Sequence, residues 1–273
     1  MRFRVTYVTV ALITLTLIPA SVNLAAAPGA SELDCLIEPY VVVAIGSPVS
    51  GLVETVADRG ALVEKGQVVA TLESSLETAA VAIARFRAEA DTAIKTNQAR
   101  VEFGTRAHAR SKELFDKGTI TSNEMDEVAT QKLLAEMGLL EAQENQRLAR
   151  LELQRATAAL ALRTIRSPIT GSVVSRFLSP GELAGETALL RVAQLDPLRV
   201  EVFAPVSLIG QIRVGSRGQV VPEAPVGGVH QARVTVVDRV VDAASGTFGV
   251  RLELANPGYR LPAGLKCKVR FLR

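Results

Sequence analysis

The apolar positions of this chain change their period along its length, and each change marks a module. Residues 5–18 are an uncharged, largely apolar run. From residue 40 to 72, short Val- and Ile-rich runs (40–45, 51–56, 62–63, 67–72) alternate with Gly-bearing turns, which predicts short strands. Gly60 and Gly66 stand where tight turns need positive φ. Residues 76–163 contain no Pro and little Gly, and the spacing becomes helical. Two arms are predicted, 76–117 and 122–163, each on the order of 60 Å long at the α-helical rise. In the second arm Met125, Val128, Lys132, Ala135, Leu139, Ala142, Gln146, Ala149, Leu153, Ala156 and Leu160 alternate steps of three and four, a heptad seam. The first arm is rougher: Ile83, Phe86, Ala90, Ile94, Val101 and Leu114 share a face that Asn97 and Gly104 interrupt. A stripe on each arm predicts that the two pack on one another. The break between them offers Gly118 as a C-cap and Thr121 or Ser122 as an N-cap, with Glu124 placed to complete a capping box from Thr121. Strand-like runs then resume at 172–174 and 189–193. After Asp196-Pro197 the period is two, with strands expected at 198–203, 218–221, 231–237, 248–254 and 265–272 and a short helix over 205–212.

One phrase occurs on both sides of the helical insertion: Ser47-Pro48-Val49-Ser50-Gly51 and Ser167-Pro168-Ile169-Thr170-Gly171. Two Gly-punctuated halves flanking a helical insertion imply one β-module split in sequence and rejoined in space, with the insertion leaving and returning as a hairpin. Such halves resemble the lipoyl and biotinyl carrier fold. In those carriers a Lys on the exposed turn bears the cofactor; here that position is Leu76, which offers no amine, so no cofactor is expected.

Composition narrows the chemistry. Aromatics are 4% of the 273 residues and Trp is absent, so core volume comes from Val, Leu, Ile and Ala. A net charge of +3 without blocks of like charge argues against nucleic acid. His108 and His230 lie in different modules, no Cys/His cluster has metal spacing, and nucleotide and nucleophile motifs are absent, so neither enzymatic activity nor a metal site is expected. Arg2 and Arg4, the apolar run and Ala25-Ala26-Ala27 read as an export signal over residues 1–27. The rival reading is an uncleaved inner-membrane anchor, since 5–27 reaches the ~20 residues that span a bilayer. In an oxidising compartment Cys35 and Cys267, both in strand-like runs that become neighbours if a barrel closes, are a disulfide candidate; two free buried thiols are the alternative.

The order of signal, strand, half-module, helical hairpin, half-module and β-barrel resembles the periplasmic adaptor, or membrane fusion protein, family (HlyD-like, efflux type). In its efflux members the hairpin tip looks like Arg, three residues, Leu, six residues, Ser. Arg110 and Leu114 match, and Thr121 stands where Ser is usual. Asn256-Pro257 and Leu261-Pro262-Ala263-Gly264-Leu265 resemble the family's barrel ending. The resemblance implies an α+β, elongated, multi-module fold. It has a split lipoyl-like β-sandwich (barrel-sandwich hybrid), an inserted antiparallel α-helical coiled-coil hairpin and a small β-barrel. Many of the family's members continue into a C-terminal membrane-proximal domain; this sequence stops at Arg273, so none is expected, a departure from the family. The expected segments are a signal (1–27), an N-terminal strand joining the barrel (28–46), half-modules (47–75 and 165–195), a hairpin (76–164) and a barrel (196–273). The implied role is a non-enzymatic periplasmic link between an inner-membrane transporter and an outer-membrane channel of the TolC type. Docking would be through Arg110, Leu114 and Thr121, with self-association into a trimer or hexamer ring. A stand-alone periplasmic scaffold without a transporter is the alternative.

Overall fold

A computed structural model describes residues 1–2 and 32–272, so the export signal expected over 1–27 lies almost wholly outside the described residues. The N-terminal strand is β1 (Leu33–Ile45), and the first half-module holds β2 (Gly51–Val56), β3 (Leu62–Val63) and β4 (Val68–Leu72). Helices α1 (Ser75–Glu89), α2 (Thr92–Asp116) and α3 (Ser122–Ala161) follow. The remainder comprises β5 (Thr164–Arg166), β6 (Gly171–Arg176), β7 (Leu183–Ala184), β8 (Leu190–Pro205), β9 (Arg217–Pro222), β10 (His230–Asp242), β11 (Thr247–Leu254) and β12 (Leu265–Phe271).

The two stretches expected as separate strands around Asp196-Pro197 are one strand, β8, paired with β1 from Cys35↔Val202 to Ile45↔Leu190. The only register shift in this ladder falls between Pro39 and Val41, opposite residues 195–197. Pro197 reads as a breaker in sequence, but at an irregularity it gives up a ladder bond that the position does not need. On one side of the irregularity, Ile45, Val53, Leu72, Val173, Leu190 and Val192 form a core. On the other, Ile37, Val200, Val202, Val250, Leu252 and Val269 form a second. The second core fills a closed barrel of order β1-β12-β9-β10-β11-β8, sealed by β1–β8. Its strands alternate as a half-buried sheet requires: Leu198, Val200, Val202 and Ala204 point in, Arg199, Glu201 and Phe203 out. Across β1 and β12, Cys35 faces Cys267 with Cα atoms 4.8 Å apart, and their sulfurs are bonded.

Asn256 bolts the joint between the modules. It is buried, and its amide donates to the carbonyls of Leu195 (2.8 Å) and Leu261 (2.9 Å) while accepting from the Leu261 N–H (2.9 Å). Its own backbone N–H donates to the Asp196 carboxylate (2.9 Å). The buried Asn256 amide is thereby satisfied, and it ties the irregular stretch at Leu195 and Asp196 to the segment ending at Leu261.

The repeated phrase marks an internal two-fold relation. The Ser47 hydroxyl donates to Val49 O (2.5 Å), and the Ser167 hydroxyl donates to Ile169 O (2.6 Å). Gly60 N–H donates to Val173 O (2.8 Å) and Val173 N–H to Ala61 O (2.9 Å); reciprocally, Gly181 N–H donates to Val53 O (2.8 Å) and Val53 N–H to Glu182 O (2.9 Å). Each half closes the other's turn, so the halves are complete only together. Gly60 and Gly181 both have φ near +88°, a region closed to most other residues.

The first helical arm departs from expectation. It is two helices, because Ala90 leaves the helical region (ψ 115°) just before Asp91. Ile83 and Phe86, expected in the seam, are 57% and 79% exposed, while Val81, Ala84 and Ala88 are buried instead. Asn97 and Gly104, expected as interruptions, lie in the seam: a Cβ on Gly104 would sit 3.3 Å from Lys132 Cα, and one on Gly138 would sit 3.2 Å from Asn97 Oδ1. The break shifts the phase of the buried face, and the small residues let the backbones approach. In α3 the expected seam holds, its eleven positions being the buried or half-buried ones on that face. The partners Gly104–Lys132 and Asn97–Gly138, with Gln146 Nε2 donating to Ala90 O (3.4 Å), show that α1 and α2 run antiparallel to α3.

Candidate docking site at the hairpin tip

At the base of the hairpin, Arg163 ties the returning chain to the departing one. Its guanidinium pairs with Glu77 in the first turn of α1 (2.5 Å) and donates to Ser50 O (3.0 Å). Both side chains are largely buried, at 21% and 16% exposed. A Cβ on Gly51 would collide with the Arg163 guanidinium, so Gly51 is the socket for this clamp. Sequence reasoning missed the clamp; its one signal was a lone cation just past the end of the helical pattern.

At the far end the turn is built by capping chemistry. Gly118 (φ +70°) follows α2 and donates to Phe115 O (2.8 Å), and Thr119 N–H donates to Leu114 O (2.9 Å). These two bonds are a Schellman closure of α2. Thr121 then caps α3 as the sequence implied. Glu124 N–H donates to Thr121 Oγ1 (3.3 Å), while Thr121 N–H (2.8 Å) and its hydroxyl (3.0 Å) donate to Glu124 Oε2. Those bonds hold the Glu124 carboxyl below the usual glutamate range, the backbone N–H first and the hydroxyl second.

Arg110 and Leu114 lie one turn apart on α2 and share a face. Leu114 is 42% exposed, beside the seam and not closing it; the half-buried positions at this level are Ser111 and Met125. Arg110 is exposed and makes no hydrogen bond or ion pair among the described residues. The tip therefore presents a cation and an aliphatic side chain, with Phe115 (41% exposed) beside them. Thr121 is committed to the turn: its hydroxyl proton is engaged, and only an acceptor lone pair is left for a partner. Leu76 is an exposed residue in the first turn of α1.

Residues 41–194, the split sandwich with its helical insertion, match the family described as CzcB-like, barrel-sandwich hybrid domain. The chain belongs to that family. Beyond this CzcB-like region, residues 198–273 match the CusB-like, beta-barrel domain. The cobalt-zinc-cadmium resistance protein CzcB of Cupriavidus metallidurans is 24% identical over 218 residues, and the cation efflux system protein CzcB of an Alcaligenes strain has the same figures. In each case the match covers 79% of this chain, and it spans 39% of the relative's length. Among solved structures, MacA from Actinobacillus actinomycetemcomitans aligns with a TM-score of 0.74 at 19% identity, covering 88% of this chain and 77% of that one. The membrane fusion protein Spr0693 from Streptococcus pneumoniae R6 aligns at 0.61 and 14% identity, covering 89% and 98%. These likenesses place the CzcB-like chain in the same fold. Among the described residues no group of His, Cys, Asp and Glu is arranged to hold a metal ion, and no helix is long and apolar enough to cross a membrane.

Proposed function

We propose that this CzcB-like chain is a non-enzymatic periplasmic adaptor. It is exported by its N-terminal signal and links an inner-membrane transporter to an outer-membrane channel of the TolC type for efflux. The observation that carries the reading is the tip: a bare Arg110 and a half-exposed Leu114 at the end of a long helical projection, where neither contributes to the seam. The hairpin acts as a coiled-coil lever, and copies of the chain assemble into a trimer or hexamer ring around the channel. The relatives' names, cobalt-zinc-cadmium resistance and cation efflux, support divalent metal cations as the exported class. The Cys35–Cys267 bond suits an oxidising compartment. In this role Arg110 pairs with a carboxylate or carbonyls at the channel's periplasmic end, Leu114 fills an apolar notch, and Thr121 shapes the turn that presents them.

Arg110→Asp and Leu114→Ser are expected to leave export and melting temperature unchanged while abolishing resistance of the host to zinc, cobalt or cadmium. An anchor in such an interface is worth ~2 kcal/mol or more, over tenfold in binding. Metal-tolerance assays beside melting curves check this. Full tolerance with a stable Arg110→Asp protein returns the tip to an ordinary helical turn and favours the stand-alone scaffold.

A further inference from the structure

The hairpin carries more apolar surface than its seam uses. Half a turn from the seam of α3 a second stripe runs along the helix's outer face: Leu133, Met137, Leu140, Leu148 and Leu151, each between 47% and 57% exposed. Their steps of three and four are those of a helix that packs on another helix, with Glu144 in the one gap. The opposite flank of the hairpin has a counterpart on α1. Val81, Ala84 and Ala88 are buried, which leaves Ala79, Ile83 and Phe86 on the outside. Neither outer face belongs to the seam or to the sandwich core.

The two flanks match in height. The partners Gly104–Lys132, Asn97–Gly138 and Ala90–Gln146 set the levels of the antiparallel arms. On that scale Phe86 is level with Leu151, and Leu148 stands one turn nearer the tip. Towards the tip Leu140, Met137 and Leu133 are level with Thr96, Ala99 and Phe103, all exposed positions of α2. The charges beside the apolar faces match as well. Following the helical turn, Arg147 and Glu89 lie on one edge of the hairpin and Glu152 and Arg87 on the other, each pair within a turn in height. Among the described residues none of these four makes an ion pair or a side-chain hydrogen bond.

We infer that copies of this chain pack head to tail through their hairpins, the outer face of α3 in one against the outer face of α1 in the next. Rotation about a ring axis keeps every residue at its own height, and a repeating contact uses both flanks of each copy. Phe86 of one copy then meets Leu148 and Leu151 of its neighbour, with Arg147 set against Glu89 and Glu152 against Arg87. An unrelated partner calls for an apolar face on one flank only. Apolar faces on both, level with one another and edged by opposite charges, are what a second copy requires.

The native cysteines are bonded to each other, so introduced cysteines report the contact directly. Phe86→Cys and Leu151→Cys in one exported full-length chain are expected to give, with a short bismaleimide applied to the host, a ladder of dimers, trimers and larger products. Either single variant is expected to stay monomeric. Leu148→Glu is expected to abolish the ladder without lowering the melting temperature. Arg147→Glu is expected to thin it, and Glu89→Arg added to the same chain to restore it. Absence of products from the double-cysteine chain overturns the inference. So do dimers from Leu151→Cys alone, which assign the stripe to a two-fold α3–α3 pair, and a loss in Arg147→Glu that Glu89→Arg does not restore. The inference rests on the self-association proposed above and not on tip docking: Arg110→Asp is expected to keep the full ladder while losing metal tolerance. A chain that confers tolerance without a ladder loses this interface and keeps the adaptor role, and a ladder without tolerance does the reverse.

Discussion

Glu124 accepts at once from the backbone N–H and the hydroxyl of Thr121 (2.8 and 3.0 Å), and its pKa is lowered by those bonds. A carboxylate whose folded pKa is depressed stabilises the structure above its unfolded value, ~4.3 for Glu, and loses that contribution as pH falls through the folded value. The start of α3 is therefore expected to fray in acid before the barrel does. Amide exchange at Glu124 and Met125, corrected for intrinsic rate, should accelerate below about pH 4 and become insensitive to pH in Glu124→Gln. A flat profile in the parent protein counts against the capping box as a stabilising device. The Thr-x-x-Glu spacing made this cap legible in the sequence. What no spacing could reveal is that the cap uses the hydroxyl proton of Thr121, leaving Arg110 and Leu114 as the free chemistry of the tip.

Among the elements, α3 was legible residue by residue because nothing interrupts its alternation of threes and fours. The first arm was not. Ala90 breaks it without Gly or Pro, so the pattern of α1 could not be carried into α2, and Ile83 and Phe86 fell on the wrong face. Gly104 was misread for a different reason: a missing side chain looks like a gap in a stripe, yet here it is the point of closest approach, 3.3 Å from Lys132 Cα to the Cβ it would carry. Gly104→Leu is expected to splay the arms and cost about 1–3 kcal/mol by overpacking. Gly104→Ala is expected to stay within about 1 kcal/mol of the parent, because helix propensity offsets the tight contact. Thermal melts followed by helical circular dichroism compare the two, and a Gly104→Leu protein as stable as the parent shows that close approach is dispensable.

For the whole molecule, the repeated phrase revealed the split sandwich but hid the continuity of β1 and β8, since Asp196-Pro197 looks like a boundary. The sandwich core contains no residue of α1, α2 or α3. Replacing residues 77–163 with a short turn is therefore expected to leave a folded β-protein with its strand signature and its Cys35–Cys267 bond intact. A random-coil spectrum from that protein contradicts the reciprocal closure of the two halves. The joint at Asn256 has a mechanical consequence. An arm on the order of 60 Å long turns any sideways load at its tip into a large bending moment where sandwich meets barrel. What resists it there is the β1–β8 pair that runs through both modules, braced by the four hydrogen bonds of the Asn256 amide and backbone N–H. The protein holds its posture as a bracket does, by a bolt at the corner, and the reach of the arm is only as useful as that corner is stiff.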